Sequence, residues 1–242
     1  MGLMTTLTAY ILVSCRSTPV TTTEPVKISP SVSTIKPDTV DVKGANKYRQ
    51  LGLEYRQKGK FKESIAALQK SVALDPGNLS GQVILGWTQH LAQQHGEAAK
   101  TLENTLKQDP DYVPALNALG IVYLVQGKLN QAVTTHTKAQ KLKPDNEIAY
   151  YNLALAYHRL RDFPKALTNA EKAIALEPGN PHPLVAKAMI QWDGGDRAGA
   201  KRNYSRALRL DPRYAQAWFL AHLLEAAFSE KQIETVEKIR KF

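Results

Sequence analysis

From residue 45 onward, apolar positions recur at helical spacing. In Ala149-Tyr150-Tyr151-Asn152-Leu153-Ala154-Leu155-Ala156-Tyr157 they fall three and four apart, which gathers them on one helix face. The stripe stops near Asp162, and a second stretch then runs to Pro178. The same paired unit returns along the chain. Pro76, Pro110, Pro144, Pro178 and Pro212 are each 34 residues apart. A proline ends the second helix of each unit and pushes the residue before it out of helical geometry. The breaks inside the units lie at or near Gly59, Gly96, Gly127, Asp162 and Gly194-Gly195. Asp162 is placed to cap the helix that follows, with Pro164 tolerated in its first turn.

Five blocks align on this period, 45–78, 79–112, 113–146, 147–180 and 181–214. Three columns hold small residues: Gly52, Gly86, Gly120, Ala154 and Ala188 at position 8; Ser64, Ala98, Ala132, Ala166 and Ala200 at position 20; Ser71, Thr105, Ala139, Ala173 and Ala207 at position 27. Small columns let paired helices approach closely. Position 7 is Leu51, Leu85, Leu119 and Leu153, then Lys187. The pattern resembles the tetratricopeptide repeat (TPR) family, whose 34-residue unit is a helix–turn–helix. The resemblance implies an all-α solenoid, a right-handed superhelix of helical hairpins over 45–228. It also implies a partial sixth unit, with Tyr214 to Leu220 as another first helix and 215–228 as a cap. Residues 229–242, with Ile233, Val236 and Ile239 apolar among charges, predict a last amphipathic helix.

The resemblance further implies a concave groove lined by first-helix positions 2, 5, 9 and 12. Position 5 carries Arg49, Val83, Asn117, Tyr151, Val185 and Phe219. Position 9 carries Leu53, Trp87, Ile121, Leu155 and Met189, and position 12 adds Trp192. The carboxylate clamp of the family's chaperone-tail binders is absent: Arg49 fits one place, but Leu53, Ile84, Pro114 and Ala118 occupy the others. Two readings of the groove stay open. It takes an apolar or amphipathic peptide or helix of another protein, with Trp87, Tyr151 and Trp192 as anchors. Alternatively, those aromatics are ordinary core, or the chain's own last helix fills the groove.

The front of the chain has a different character. Residues 1–14 form a short apolar signal-like segment, too short to span a bilayer. Leu12-Val13-Ser14-Cys15 resembles the lipobox of bacterial lipoproteins, which implies lipid attachment at Cys15, the chain's single cysteine. Met1-Gly2 with Thr6 fits a competing N-myristoylation pattern. Residues 15–44 are rich in Ser, Thr, Pro and Val without helical period and predict a disordered tether. Its last 29 residues reach at most roughly 95 Å, and about 30 Å as a flexible coil. Lipobox, tether and repeats together resemble the plan of pilotin lipoproteins, which serve assembly machinery of the bacterial envelope.

Composition narrows the chemistry. The net charge is +10, and 28 of 32 basic and 19 of 22 acidic residues lie from residue 45 onward, so the excess is spread over the helical surface. No basic run is interleaved with aromatics, which argues against nucleic acid. The histidines His90, His95, His136, His158, His182 and His222 show no metal-ligand spacing, and no phosphate loop or nucleophile signature occurs. The sequons at Asn78 and Asn203 read as chance matches. The expectation is therefore a non-enzyme without cofactor or metal. Its partner is another protein, and it is lipid-anchored at a bacterial envelope membrane; the alternative is a soluble cytoplasmic adaptor or co-chaperone.

Overall fold

The computed structural model describes residues 40–242. The signal-like segment, Cys15 and nearly all of the tether lie outside the described residues. Eleven α-helices make up the described chain, with two 3₁₀ segments near its end. They are α1 (Val42–Gln57), α2 (Phe61–Leu74), α3 (Leu79–Leu91), α4 (His95–Gln108), α5 (Val113–Val125) and α6 (Leu129–Leu142). Then follow α7 (Glu147–Arg159), α8 (Phe163–Leu176), α9 (Pro181–Asp193), α10 (Arg197–Leu210) and α11 (Glu230–Lys241). Consecutive pairs from α1 to α10 form five stacked hairpins, repeats 1 to 5. The first helix starts at Val42, three residues before the first repeat block, with the Asp41 carboxylate accepting from the Gly44 amide.

The turns repeat as strictly as the helices. Asp75, Asp109, Lys143, Glu177 and Asp211 precede the five prolines, and all have φ between −132° and −141° with ψ between 76° and 100°. That is the extended backbone a following proline enforces. Within the hairpins, Gly59, Gln93, Gly127, Arg161 and Gly195 all have positive φ, from 62° to 93°. These five lie at position 15 of their blocks. The second repeat turns on Gln93; Gly96 sits inside α4. Asp162 caps α8 through the Lys165 amide, with Pro164 in the first turn.

Packing explains the small columns. Positions 20 and 27 are buried in all five repeats. Position 8 faces position 24 across the first three hairpins. A Cβ at Gly52, Gly86 or Gly120 would stand 2.6, 2.8 or 2.4 Å from Leu68, Leu102 or His136. Repeat 4 holds Ala154 opposite Ala170, both fully buried. Lys187, the polar residue in the leucine column, reaches Glu171 at 2.8 Å.

The sixth unit departs from expectation. Its predicted first helix is two 3₁₀ segments, Pro212–Ala215 and Ala217–Leu224. Trp218 is 68% exposed. Tyr214 and Phe219 turn inward instead, their rings edge-on at 5.2 Å. The repeat phase persists in sequence, but the helix that follows, α11, packs on α9 as well as on the second 3₁₀ segment. The chain turns at Ala227, with φ of 65°, and enters α11. A capping box starts α11: the Ser229 hydroxyl accepts from the Gln232 amide, and the Gln232 side chain accepts from the Ser229 amide.

Candidate functional site

The first helices of the five repeats, α1, α3, α5, α7 and α9, carry the groove positions. Over repeats 1–3 these residues meet only their neighbours. Arg49 is half-buried and donates to Asn46. Leu53 is half-buried against the cluster of Ile65, Leu68, Ile84 and Leu85. Arg56 Nη1 donates to Thr88 Oγ1 at 3.4 Å, and burial lowers the guanidinium pKa from its ordinary value. Trp87 is 5% exposed and lies 4.8 Å from the His90 ring. His90 Nδ1 meets His95 Nδ1 at 3.1 Å, so one ring donates and the other accepts. Burial, then the nearby His95, pushes His90 down to about 4. Val83 and Ile121 are nearly buried, and Asn117 exchanges two amide hydrogen bonds with Asn146, at 3.2 and 2.8 Å.

Over repeats 4 and 5 the groove is occupied by the chain's own C-terminal segment. The Tyr151 hydroxyl donates to the Ala226 carbonyl at 2.7 Å, and its ring lies 6.4 Å from Phe228. Gln232 Nε2 donates to the Leu155 carbonyl at 3.3 Å and faces His158 Nδ1 at 3.0 Å. His158 Nε2 meets Asp193 at 2.9 Å, and Thr235 donates to the same carboxylate at 3.4 Å. A neutral imidazole with its proton on Nε2 satisfies both neighbours. Burial favours that neutral form by lowering the His158 pKa. Phe242 packs edge-on to Trp192 at 5.2 Å, while the Arg197 guanidinium covers that indole at 3.8 Å.

Of the two readings left open by the sequence, the arrangement over repeats 4 and 5 follows the second, with the chain's own last helix in the groove. Leu155, Val185 and Met189 are fully buried, in one core with Val236 and Ile239 of α11. Tyr151 and Trp192 contact the chain's own terminus rather than standing free. Phe219 belongs to a 3₁₀ segment and stacks on His222 at 3.9 Å. Arg49 and Leu53 are half-buried, as are Tyr151 and Trp192. The sequence missed the polar trio His158, Asp193 and Gln232, which no motif joins. Its one signal was a glutamine on the apolar side of an amphipathic stretch.

A second cluster lies beside the filled groove. His182, Tyr214 and His222 form edge-on ring pairs between 5.2 and 6.3 Å. The Tyr214 hydroxyl meets His222 Nε2 at 3.1 Å while His222 Nδ1 donates to the Phe219 carbonyl. Burial and His222 push His182 down to about 4. Among the described residues no group of three or more His, Cys, Asp or Glu is placed to hold a metal, and no helix is long and apolar enough to cross a membrane.

Comparison with known proteins agrees with the architecture. Tetratricopeptide-repeat family models match residues 45–78, 148–180, and 92–136 with 185–228, and a TPR repeat model matches 123–160. A crystal structure of MamA protein superposes with a TM-score of 0.60 at 25% identity, covering 72% of this chain and 95% of that one. A thermophilic TPR protein in Thermus thermophilus gives 0.61 at 20% identity, covering 76% and 98%. Mouse (Mus musculus) Superkiller complex protein 3 is 28% identical over 89 residues, 37% of this chain but only 6% of that protein's length. Repeat period, turn geometry and these matches, which together span most of residues 45–228, place the chain in the tetratricopeptide-repeat family.

Proposed function

We propose that this protein is a non-catalytic adaptor that takes a peptide or helical segment of another protein in its concave groove, held at an envelope membrane by lipid on Cys15. The TPR fold is a protein-interaction scaffold, and its groove supplies shape and side-chain contacts rather than reactive groups. One observation carries the reading: the groove over repeats 4 and 5 already holds a helix, with its apolar face and one polar side chain both satisfied. Over repeats 1–3, half-buried Arg49 and Leu53 leave the entry for a partner segment. The lipid tether rests on the lipobox resemblance and on the composition of residues 15–44.

Two measurements on the full chain test the two halves of this reading. A photo-crosslinking residue at Leu53 in cells should yield discrete protein adducts that the same residue at Thr168, in α8, does not. Identical products from both sites would remove the groove. Labelled palmitate should mark the wild type and leave Cys15→Ser unlabelled and released from the membrane fraction. A wild type that is unlabelled and freely soluble makes the protein a cytoplasmic adaptor instead.

A further inference from the structure

Covering an apolar groove needs only apolar side chains, yet α11 places Gln232 at its centre, 2% exposed. A buried carboxamide costs stability unless its hydrogen bonds are met. Here its oxygen accepts from Ser229 of the helix's own cap, and its nitrogen is met by the groove. The Leu155 carbonyl and His158 Nδ1 take the amide nitrogen, and Asp193 holds the His158 ring in the accepting tautomer. Val236 and Ile239, four and seven residues on, share the buried face. The opposite face is charged, and the helix carries its own capping box. α11 is thus a self-contained amphipathic unit, joined to the repeats through the left-handed residue Ala227.

We propose that the groove over repeats 4 and 5 is a binding site for an amphipathic helix bearing a buried glutamine with aliphatic residues four and seven positions later. In this proposal α11 is its resident occupant in cis, and a partner helix of the same pattern displaces it. The proposal rests on the adaptor reading and adds the class of ligand to it. The polar pair of His158 and Asp193 gives specificity: a helix with leucine in place of the glutamine leaves the imidazole nitrogen unpaired and buried. Affinity for a partner is reduced by the fraction of time α11 is seated, so the segment also sets how tightly a partner must bind.

The test uses the full chain carrying Val236→Asp and Ile239→Asp, which unseats α11, with a fluorescent peptide copying residues 229–242 as the probe. The peptide should bind this variant at least tenfold more tightly than the wild type. The same peptide with Gln232→Leu should bind about tenfold more weakly than the native peptide. Absence of saturable binding to a variant that keeps its helical circular dichroism overturns the proposal, as does equal binding of the two peptides. Hydrogen exchange on the wild type guards against a variant that fails to fold. Amides of α11 should exchange well before those of α3–α6; exchange only through global unfolding makes α11 a fixed cap and overturns the proposal. Concentration-dependent dimers without peptide uptake also overturn it, in favour of helix exchange between copies. If the peptide fails while Leu53 still crosslinks to partner proteins, the adaptor reading stands without this ligand class. If the peptide binds while the crosslinks fail, the helix site stands alone.

Discussion

At Gly120 the two helices of repeat 3 leave no room for a methyl group, whereas at Ala154, one repeat later, they do. The difference runs through the molecule. Repeats 1–3 pair glycine at position 8 with a large side chain at position 24, Leu68, Leu102 or His136. Hydroxyls stitch the first two hairpins. The Ser64 hydroxyl donates to the Gly52 carbonyl at 2.6 Å, Ser71 to Ala45 at 2.8 Å, and Thr105 to the Gln82 side chain at 3.0 Å. Repeat 4 pairs alanine with alanine, and repeats 4 and 5 place alanine in both other small columns. Their extra packing comes from outside the hairpins, from α11 and the rings of Tyr214, Phe219 and Phe228. The first region packs within its own repeats, with Val83, Trp87 and Ile121 buried and Arg49 and Leu53 half-buried. The second completes its core with a segment that also occupies the groove, so under the proposed function its stability and its availability to a partner are linked.

The strongest way to break this contrast is at the glycine column. Gly120→Ala puts a Cβ about 2.4 Å from His136 Nε2. Overpacking of this kind should cost about 3 kcal/mol in denaturant unfolding. Gly120→Ala with His136→Ala recreates the alanine pair of repeat 4, so the double variant should lose clearly less than the sum of its two single variants. Additive losses would show that the pairing of columns 8 and 24 does not distinguish the two regions.

Next in size is acid. His182 faces His222, Tyr151, Tyr214 and Asp211, and in the fold its pKa is about 4 against an ordinary value of 6.5. Between those values the unfolded chain binds a proton that the folded chain refuses. Stability conferred by the neutral ring is therefore present above about pH 6.5 and falls away as the pH drops toward 4. His182→Phe keeps a ring in place and removes an Nε2 that has no hydrogen-bond partner. From pH 7 to pH 4.5 the variant should lose about 2–3 kcal/mol less stability than the wild type. His90 and His136, pushed down to about 4 and about 3 by burial, supply the acid sensitivity of repeats 2 and 3 that remains in the variant. An unchanged pH dependence would detach the aromatic cluster from the stability of the C-terminal half.

What the sequence made legible follows the same division. Pro76 to Pro212 and the small columns announced the hairpins because each acts locally: a proline restricts its own neighbour, and a methyl group either fits between two helices or does not. Covering of the groove was not legible to the same degree, because it depends on where α11 lands after a turn. The contact of Gln232 with Leu155 spans 77 residues. The last helix was readable from Ile233, Val236 and Ile239, and the concave face stood as one of two open places for it, but nothing local decided between them. The sixth unit departed for a related reason, since repeat phase fixes a helix face only where an α-helix forms. The turn column was half hidden: Gly59, Gly127 and Gly195 mark position 15 openly, while Gln93 and Arg161 adopt the same left-handed backbone without announcing it.

Those two residues give the finest test of the contrast. Both hold a conformation that glycine adopts without steric penalty. Gln93 lies in the first region, and its side chain makes one exposed contact, Oε1 to His95 Nε2 at 3.1 Å. Gln93→Gly should therefore raise stability by about 0.5–1 kcal/mol, read as a shift in denaturation midpoint at constant slope. Arg161 has the same backbone, but its guanidinium lies 5.1 Å from the Phe163 ring, which in turn lies 5.8 Å from His158. Arg161→Gly relieves the strain and gives up a cation–π contact worth about 0.5–1 kcal/mol at an exposed site. The two effects nearly cancel, so this variant should fall close to the wild type. Equal gains at both turns would mean that the side chains around the filled groove add nothing to the backbone they sit on. A gain at Gln93 alone would locate the compensation in the Arg161–Phe163–His158 stack, which reaches the ring that receives Gln232.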